Sequence, residues 1–396
     1  MAAKTNFVLA SRWLSPANQG GVAMHNGYLV DALKDNIEIS LISIKDEANE
    51  AYYKGKNIPF RGIDPKLPPI AIKSAKTSGL KNGLRAWKDW LISLEMARVL
   101  ERNPPDVVEF MDIHSEAYAF LKRNPAGRRK TKVVIRSHTP WGILRPTYFP
   151  EEIKGVDGWW AIKREQYCFK HCDAITTPSQ DLKEQLIRVY RLPESKITVI
   201  PNLVDTNHFR PLPANNNDIF TFLHVGRFER AKGVITMTKA FIELCKETAQ
   251  PVRLINVGAP RGNALEKCTN LLKEAKLLDR VTFTGFVPYE ELPNYYAMAD
   301  AVIVPPEIYE SFSYTAAQAI ACGKKVIASD SGGMPETLSN GKHGLIFLKA
   351  DHSSLTKEME TSLNKNISTE ELKRFAQNSY SIESLREKFL SFYNII

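Results

Sequence analysis

Short apolar runs alternate with longer amphipathic stretches along this whole chain. The runs Asn6–Ala10, Glu38–Ile44, Val107–Phe110, Val133–Arg136, Ala174–Thr177 and Ile197–Ile200 predict strands. After the polar, turn-rich stretch LPANNND (212–218) the alternation starts again. It continues at Phe220–Val225, Val252–Val257, Val281–Phe283, Ala301–Val304, Val326–Ala328 and Leu345–Phe347. Strands alternating with helical patterns belong to parallel α/β sheets, so two similar α/β halves joined by a linker are expected. Ligands in such sheets sit beyond the C-terminal ends of the strands. Leu80 to Arg102 predicts a helix with Leu84, Trp87, Leu91 and Leu94 on one side, and with Lys81, Arg85 and Lys88 nearby. The tail 379–396 is amphipathic, and no short-period repeat or low-complexity segment occurs.

Length and composition narrow the class. A chain of 396 residues suggests two domains, and 43% hydrophobic with 24% charged residues is ordinary globular composition. No apolar run approaches the roughly 18–20 residues that cross a bilayer. The first residues, MAAKTNFVLASRWLSP, hold too short an apolar core for a signal peptide and read as a first strand. Five scattered cysteines give no disulfide framework, which points to a reducing, cytoplasmic setting. Cys168 and Cys172 sit one helical turn apart, which is too few ligands for a zinc site.

The net charge of +9 is unevenly spread. Between Arg61 and Arg136 sixteen Lys/Arg face eight Asp/Glu, and the run 122–136 holds seven basic residues and no acid. Nucleic acid is not expected, because no aromatic interleaving or nucleic-acid-binding signature accompanies the run. An anionic membrane surface met from the cytoplasmic side, a phosphorylated acceptor, and a solvated basic loop all fit it.

Chemistry gathers at the predicted strand ends. In HVGRFERAKGV (224–234), Gly226 and Gly233 frame Arg227 and Lys232, two cations on one loop that would suit an anion such as a diphosphate. From Val304 onward a loop with Glu307 and Glu310 leads into small residues at helical spacing, then a strand and Ser-Gly-Gly. A helix starting near Ser313–Thr315 would offer free amides and a positive dipole end to an anion. Gly20 and Gly21 stand between the first strand and a predicted helix from Val22, where a backbone can approach a ligand closely. The G-x-G-x-x-G and G-x-x-x-x-G-K-[ST] phosphate motifs are missing there. His138 follows the strand Val133–Arg136, and His114 is a weaker candidate after the preceding one.

The stretch 304–347 resembles the donor-binding signature of the retaining GT-B glycosyltransferases of family 4. Glu310, Phe312, Ala319, Ala321, Gly323, Val326, Ser329, Gly332, Gly333, Pro335, Glu336, Asn340, Gly341 and Gly344 all match. Ser311 and Ser313 stand where glycine is usual, Lys325 replaces a proline, and Gln318 replaces a second glutamate. The segment 224–234 resembles the family's G-R-x-x-x-x-K-G.

The resemblance implies a GT-B fold: two Rossmann-like parallel-sheet domains, 1–208 and 209–378, facing a cleft. The helix 379–396 would cross back to the first domain. It implies transfer, with retention, of a sugar from a nucleotide-diphosphate sugar to a hydroxyl acceptor that is a carbohydrate, a lipid-linked glycan or a small molecule. Glu310 and His138 would serve the transferred sugar, and Arg227 and Lys232 the diphosphate. Gly20, Gly21, Gly226, Ser313, Tyr314 and Thr315 would line the donor, Gly285, Phe286 and Val287 the nucleobase, and Gln318 the ribose. No D-x-D occurs in the sequence, so neither a metal nor another cofactor is expected. A non-catalytic GT-B partner with a degenerate donor site, or a nucleotide-sugar epimerase or hydrolase, is the alternative.

Overall fold

Parallel pairing builds both sheets of this protein. The structure, a computed structural model, describes residues 4–18, 20–66, 81–148, 155–213 and 219–396. The chain divides into one unit of Met1–Leu203 with Leu385–Ile396 and a second of Val204–Ser384. Residues 214–218 of the expected linker lie outside the described residues, as do the side chains of 81–86, Leu84 among them.

In the first unit the strands are β1 (Asn6–Ala10), β2 (Glu38–Ile44), β3 (Phe60–Ile63), β4 (Val107–Met111), β5 (Lys132–Arg136), β6 (Ala174–Thr177) and β7 (Ile197–Val199). They lie in the order β3-β2-β1-β4-β5-β6-β7. Phe7 sits between Ile39 and Val107, and Ile135 between Phe110 and Ile175. Every residue of β4 and β6 is buried, as expected of strands covered on both faces. The order reverses between β1 and β4, so the loops after these two strands diverge there, at the place where such sheets hold ligands.

The second unit repeats the scheme with β8 (Phe220–Val225), β9 (Val252–Val257), β10 (Val281–Gly285), β11 (Ala301–Val304), β12 (Lys325–Ser329) and β13 (Leu345–Phe347). Their order is β10-β9-β8-β11-β12-β13, with the reversal between β8 and β11. Leu223, Val302 and Val326 pack on one face under the alanine-rich helix Tyr314–Ala321. Phe222, Ile303 and Ile327 pack on the other, under Met237 and Phe241 of helix Val234–Glu247 and Met359 of helix His352–Asn364. Each such side chain withdrawn from water is worth about 1.5–3 kcal/mol.

The last helix, Ile382–Ile395, ends inside the first unit. The Tyr393 hydroxyl donates to Glu109 of β4 at 2.7 Å, and Tyr393 packs on Phe7 at 4.8 Å between ring centres. Arg386 donates to the Ala32 carbonyl at 2.9 Å.

Two features were not legible in the sequence pattern. Strand β3 has no counterpart among the predicted runs, because Phe-Arg-Gly-Ile buries only Ile63 at a sheet edge. Helix Lys81–Arg102 does not bury the side marked by Trp87, Leu91 and Leu94. Its buried stripe is Asp89, Ile92, Ser93, Met96, Ala97 and Leu100, while Trp87 stays 46% exposed. Two polar residues go inward because they have partners there: Asp89 binds Arg12 at 2.6 Å, and the Ser93 hydroxyl donates to the Glu116 carbonyl at 2.8 Å.

Candidate active site

The loops on either side of the second sheet's reversal carry the strongest motifs, and two glycines decide how close these loops come. Gly233 ends the turn Arg230–Lys232 with φ +71°, and a side chain there would collide with the Pro305 carbonyl. Gly332 has φ +58°, and its Cβ would lie 2.6 Å from the Glu310 carbonyl oxygen. Only glycine lets these backbones touch. The Glu307 amide donates to the Ala231 carbonyl at 3.0 Å, and the Gly333 amide to the Glu310 carbonyl at 2.8 Å. So held, the Lys232 ammonium forms an ion pair with the Glu310 carboxylate. Arg227 binds Glu229 at 2.9 Å, and its side chain is half exposed.

Helix Tyr314–Ala321 begins beside this pair. Ser313 caps it, its hydroxyl accepting from the Ala316 amide at 3.2 Å. Tyr314 and Thr315 fall in the first turn, whose amides have no acceptor within the helix. The Thr315 hydroxyl donates to the Val225 carbonyl at 3.1 Å, tying the helix start to the end of β8. Gln318 is buried in the same helix, and its side-chain oxygen accepts from the Tyr296 hydroxyl at 3.1 Å. The Gly226 amide donates to Val257, and the Gly258 amide to Gly285. Phe286 follows with 61% exposure, and Val287 packs against the core. Burial pushes His224 down to about 4, Lys232 adding to the effect and the Ile303 carbonyl opposing it, so this imidazole is neutral.

In the first unit, Gly20 and Gly21 open helix Gly21–Leu33. His138 is buried just past β5 with its ring 4.9 Å from that of His25, edge to face. Burial, then the Arg136 charge, holds His138 well below the usual imidazole range. His114 stands after β4 in the left-handed region at φ 65°, its Nδ1 3.1 Å from Asp89. Among the basic residues 122–136, Lys122 lies over the Tyr167 ring, Arg123 pairs with Glu101, and Arg129 pairs with Asp173. Arg136 is buried and donates to Asn202 at 2.7 Å. Cys168 and Cys172 are buried free thiols, both pushed up by burial. Among the described residues no three His, Cys, Asp or Glu converge as metal ligands. Among them, too, no helix is long and apolar enough to cross a membrane.

Residues 205–381 match the family Glycosyl transferases group 1, and residues 19–208 match Glycosyltransferase Family 4. The chain belongs to the family 4 glycosyltransferases. A relative is the lipopolysaccharide 1,2-N-acetylglucosaminetransferase of Salmonella typhimurium, 28% identical over 54% of this chain and 60% of that protein. The chain thus spans about three-fifths or less of the curated relatives it matches first. Sucrose-phosphate synthase from Thermosynechococcus elongatus shares the fold with TM-score 0.77 at 20% identity, covering 99% and 98% of the two chains. Anabaena HepE in complex with UDP does so with TM-score 0.76 at 14% identity, covering 99% and 100%. This family 4 glycosyltransferase therefore has the GT-B fold of two Rossmann-like domains.

Sequence motifs mark Arg227, Lys232 and Glu310, whereas His25, Asp112 and Glu165, which surround the His138 loop, belong to no motif. The available signal for Asp112 was an acidic residue directly after an apolar strand, at the sheet's ligand end.

Proposed function

We propose that this protein is a retaining glycosyltransferase that moves a sugar from a nucleotide-diphosphate sugar to a hydroxyl acceptor without a metal. The observation that carries the reading is the Lys232–Glu310 pair at the sheet's reversal, with Arg227 on the same loop. Glu310 contacts hydroxyls of the transferred sugar, and His138 serves the same sugar. As the bond from the anomeric carbon to the diphosphate breaks, charge grows on the leaving oxygen. Arg227, Lys232 and the first-turn amides of helix Tyr314–Ala321 stabilise it, work that a bound metal does elsewhere. The acceptor oxygen bonds to the anomeric carbon on the face the diphosphate leaves, and its proton passes to the departing phosphate. No protein nucleophile is needed. Gly285, Phe286 and Val287 border the nucleobase and Gln318 the ribose. A nucleotide-sugar donor is supported by the UDP complex of HepE.

Calorimetry across UDP-, GDP- and ADP-sugars identifies the donor. Turnover with a panel of glycans and lipid-linked glycans, in buffer containing EDTA, then identifies the acceptor. The expected product keeps the donor's anomeric configuration, as read by NMR. Loss of turnover with EDTA or an inverted product overturns the mechanism, and the absence of binding to every donor overturns the function.

A further inference from the structure

Past strand β5 every amide of the loop that carries His138 is accounted for, and beyond Ser137 none of them pairs with a strand. The Ser137 amide ends on the Thr176 carbonyl at 2.8 Å. Asp112 Oδ2 accepts from the Ser137 hydroxyl at 2.9 Å, the His138 amide at 3.0 Å and the Thr139 amide at 3.1 Å. Pro140 has no amide hydrogen. Glu165 accepts from the Trp141 amide at 2.6 Å and the Gly142 amide at 3.0 Å, and the Tyr190 hydroxyl binds the same carboxyl group. From His138 to Gly142, therefore, the available amides all end on two buried carboxyl groups contributed by other elements.

We propose that Asp112, with Glu165 behind it, is the positioning residue for His138. One oxygen gathering three donors fixes three points of the loop at once, which a single capping bond would not do. The His25 ring of helix Gly21–Leu33, 4.9 Å away between ring centres and steeply inclined to it, then limits the imidazole. Burying a carboxylate is costly and is tolerated where several donors compensate it. Burial pushes Asp112 up to about 6, while the Ser137, His138 and Thr139 donors pull the other way and favour the ionised form. The inference rests on the reading of His138 as a group that serves the transferred sugar.

Asp112→Asn keeps the shape and one acceptor oxygen but exchanges charge-assisted bonds for neutral ones. The expected result is a fall in kcat of about tenfold or more, with the donor KM changed by less than about twofold. In a His138→Ala background the same substitution should cost less than about twofold, because both act through one group. The His138 imidazole 15N resonance, assigned by its loss in His138→Ala, should shift or split in Asp112→Asn. Additive losses in the two variants, or an unmoved resonance, overturn the proposal. A wild-type protein that turns over no donor overturns the functional reading instead, and the resonance still decides the positioning role. Should Asp112→Asn not fold, Ser137→Ala removes one of the three donors and should show a smaller loss with the same non-additivity.

Discussion

Lys232 and Glu310 stand 78 residues apart in sequence and meet as an ion pair. Each comes from a loop at the reversal of the second sheet, and neither is fully withdrawn from water, with side-chain exposures of 27% and 18%. Such a pair is a modest source of stability. On the proposed reading, in which Glu310 contacts the sugar and Lys232 the diphosphate, the pair serves chemistry rather than stability.

Lys232→Ala and Arg227→Ala should therefore each lower kcat by about 10²–10³, equal to roughly 3–4 kcal/mol of lost transition-state stabilisation. Arg227 is half exposed, so its removal should leave the melting temperature nearly unchanged. Turnover and thermal melts on the two variants decide this, and near-wild-type turnover in both would remove the diphosphate role.

Much of the fold is legible in the chain for a simple reason. Strand β11, Ala-Val-Ile-Val, is buried along its length and reads as an unbroken apolar run, while β6, Ala-Ile-Thr-Thr, shows through its β-branched residues. Strand β3 lies at an edge and carries Arg61 and Gly62, which gave no run to see. The inward face of helix Lys81–Arg102 was hidden because Asp89 and Ser93 are buried through partners that come from distant segments. At the site, the motif residues and their spacing were visible. The tie from Gln318 to Tyr296 and the gathering of the His138 loop on Asp112 were not, since they depend on where elements distant in sequence meet.

The basic run 122–136 separates into tied and untied charges, which stability measurements can tell apart. Arg129 is nearly buried and pairs with Asp173 at 2.7 Å, with further bonds to the Asn124 and His171 carbonyls. Arg129→Ser should cost on the order of 2–4 kcal/mol by leaving Asp173 and two carbonyls without their partner. Arg128 and Lys130 are exposed, and their replacement by Ser should change stability by less than about 0.5 kcal/mol. If this surface meets anionic lipid, the Arg128 and Lys130 double substitution lowers co-sedimentation with anionic liposomes, and added salt does the same. Unchanged co-sedimentation makes the run a solvated loop.

Glu109 predicts a pH dependence of stability. Burial pushes it up to about 7, although the Tyr393 hydroxyl and the Arg136 charge pull the other way. The folded state thus holds this proton more tightly than the unfolded chain, where a glutamate titrates near 4.5. The associated stability is fully present below about 4.5 and is lost as pH rises through about 7. His25 and His138, both lowered by burial, act in the opposite sense, and only below about 6.5. Glu109→Gln keeps an acceptor for Tyr393 and should gain on the wild type by roughly 1–3 kcal/mol between about pH 5 and pH 8. Denaturant titrations at the two pH values give the answer, and a difference that does not change with pH refutes it.

Among the departures from the family pattern, Gln318 is the one the proposed reading assigns to the ribose, and its surroundings sharpen what restoring the carboxylate should do. Its side-chain oxygen already accepts from the Tyr296 hydroxyl at 3.1 Å, which leaves chiefly an NH₂ donor for a ribose hydroxyl. A glutamate here could accept from Tyr296 with one oxygen and from the ribose with the other. Bonds to a charged group are worth roughly 1.5–3 kcal/mol, against about 1 for a neutral one. Gln318→Glu should therefore tighten donor binding by about 1 kcal/mol, close to fivefold in KM. Because the ribose is remote from the breaking bond, kcat should stay nearly constant, the signature of an interaction made equally in ground and transition states. Tyr296→Phe in the same background is the control: it releases that oxygen and should not reverse the gain. A natural protein with no turnover that becomes active on Gln318→Glu would instead mark a degenerate donor site and overturn the assignment as an enzyme.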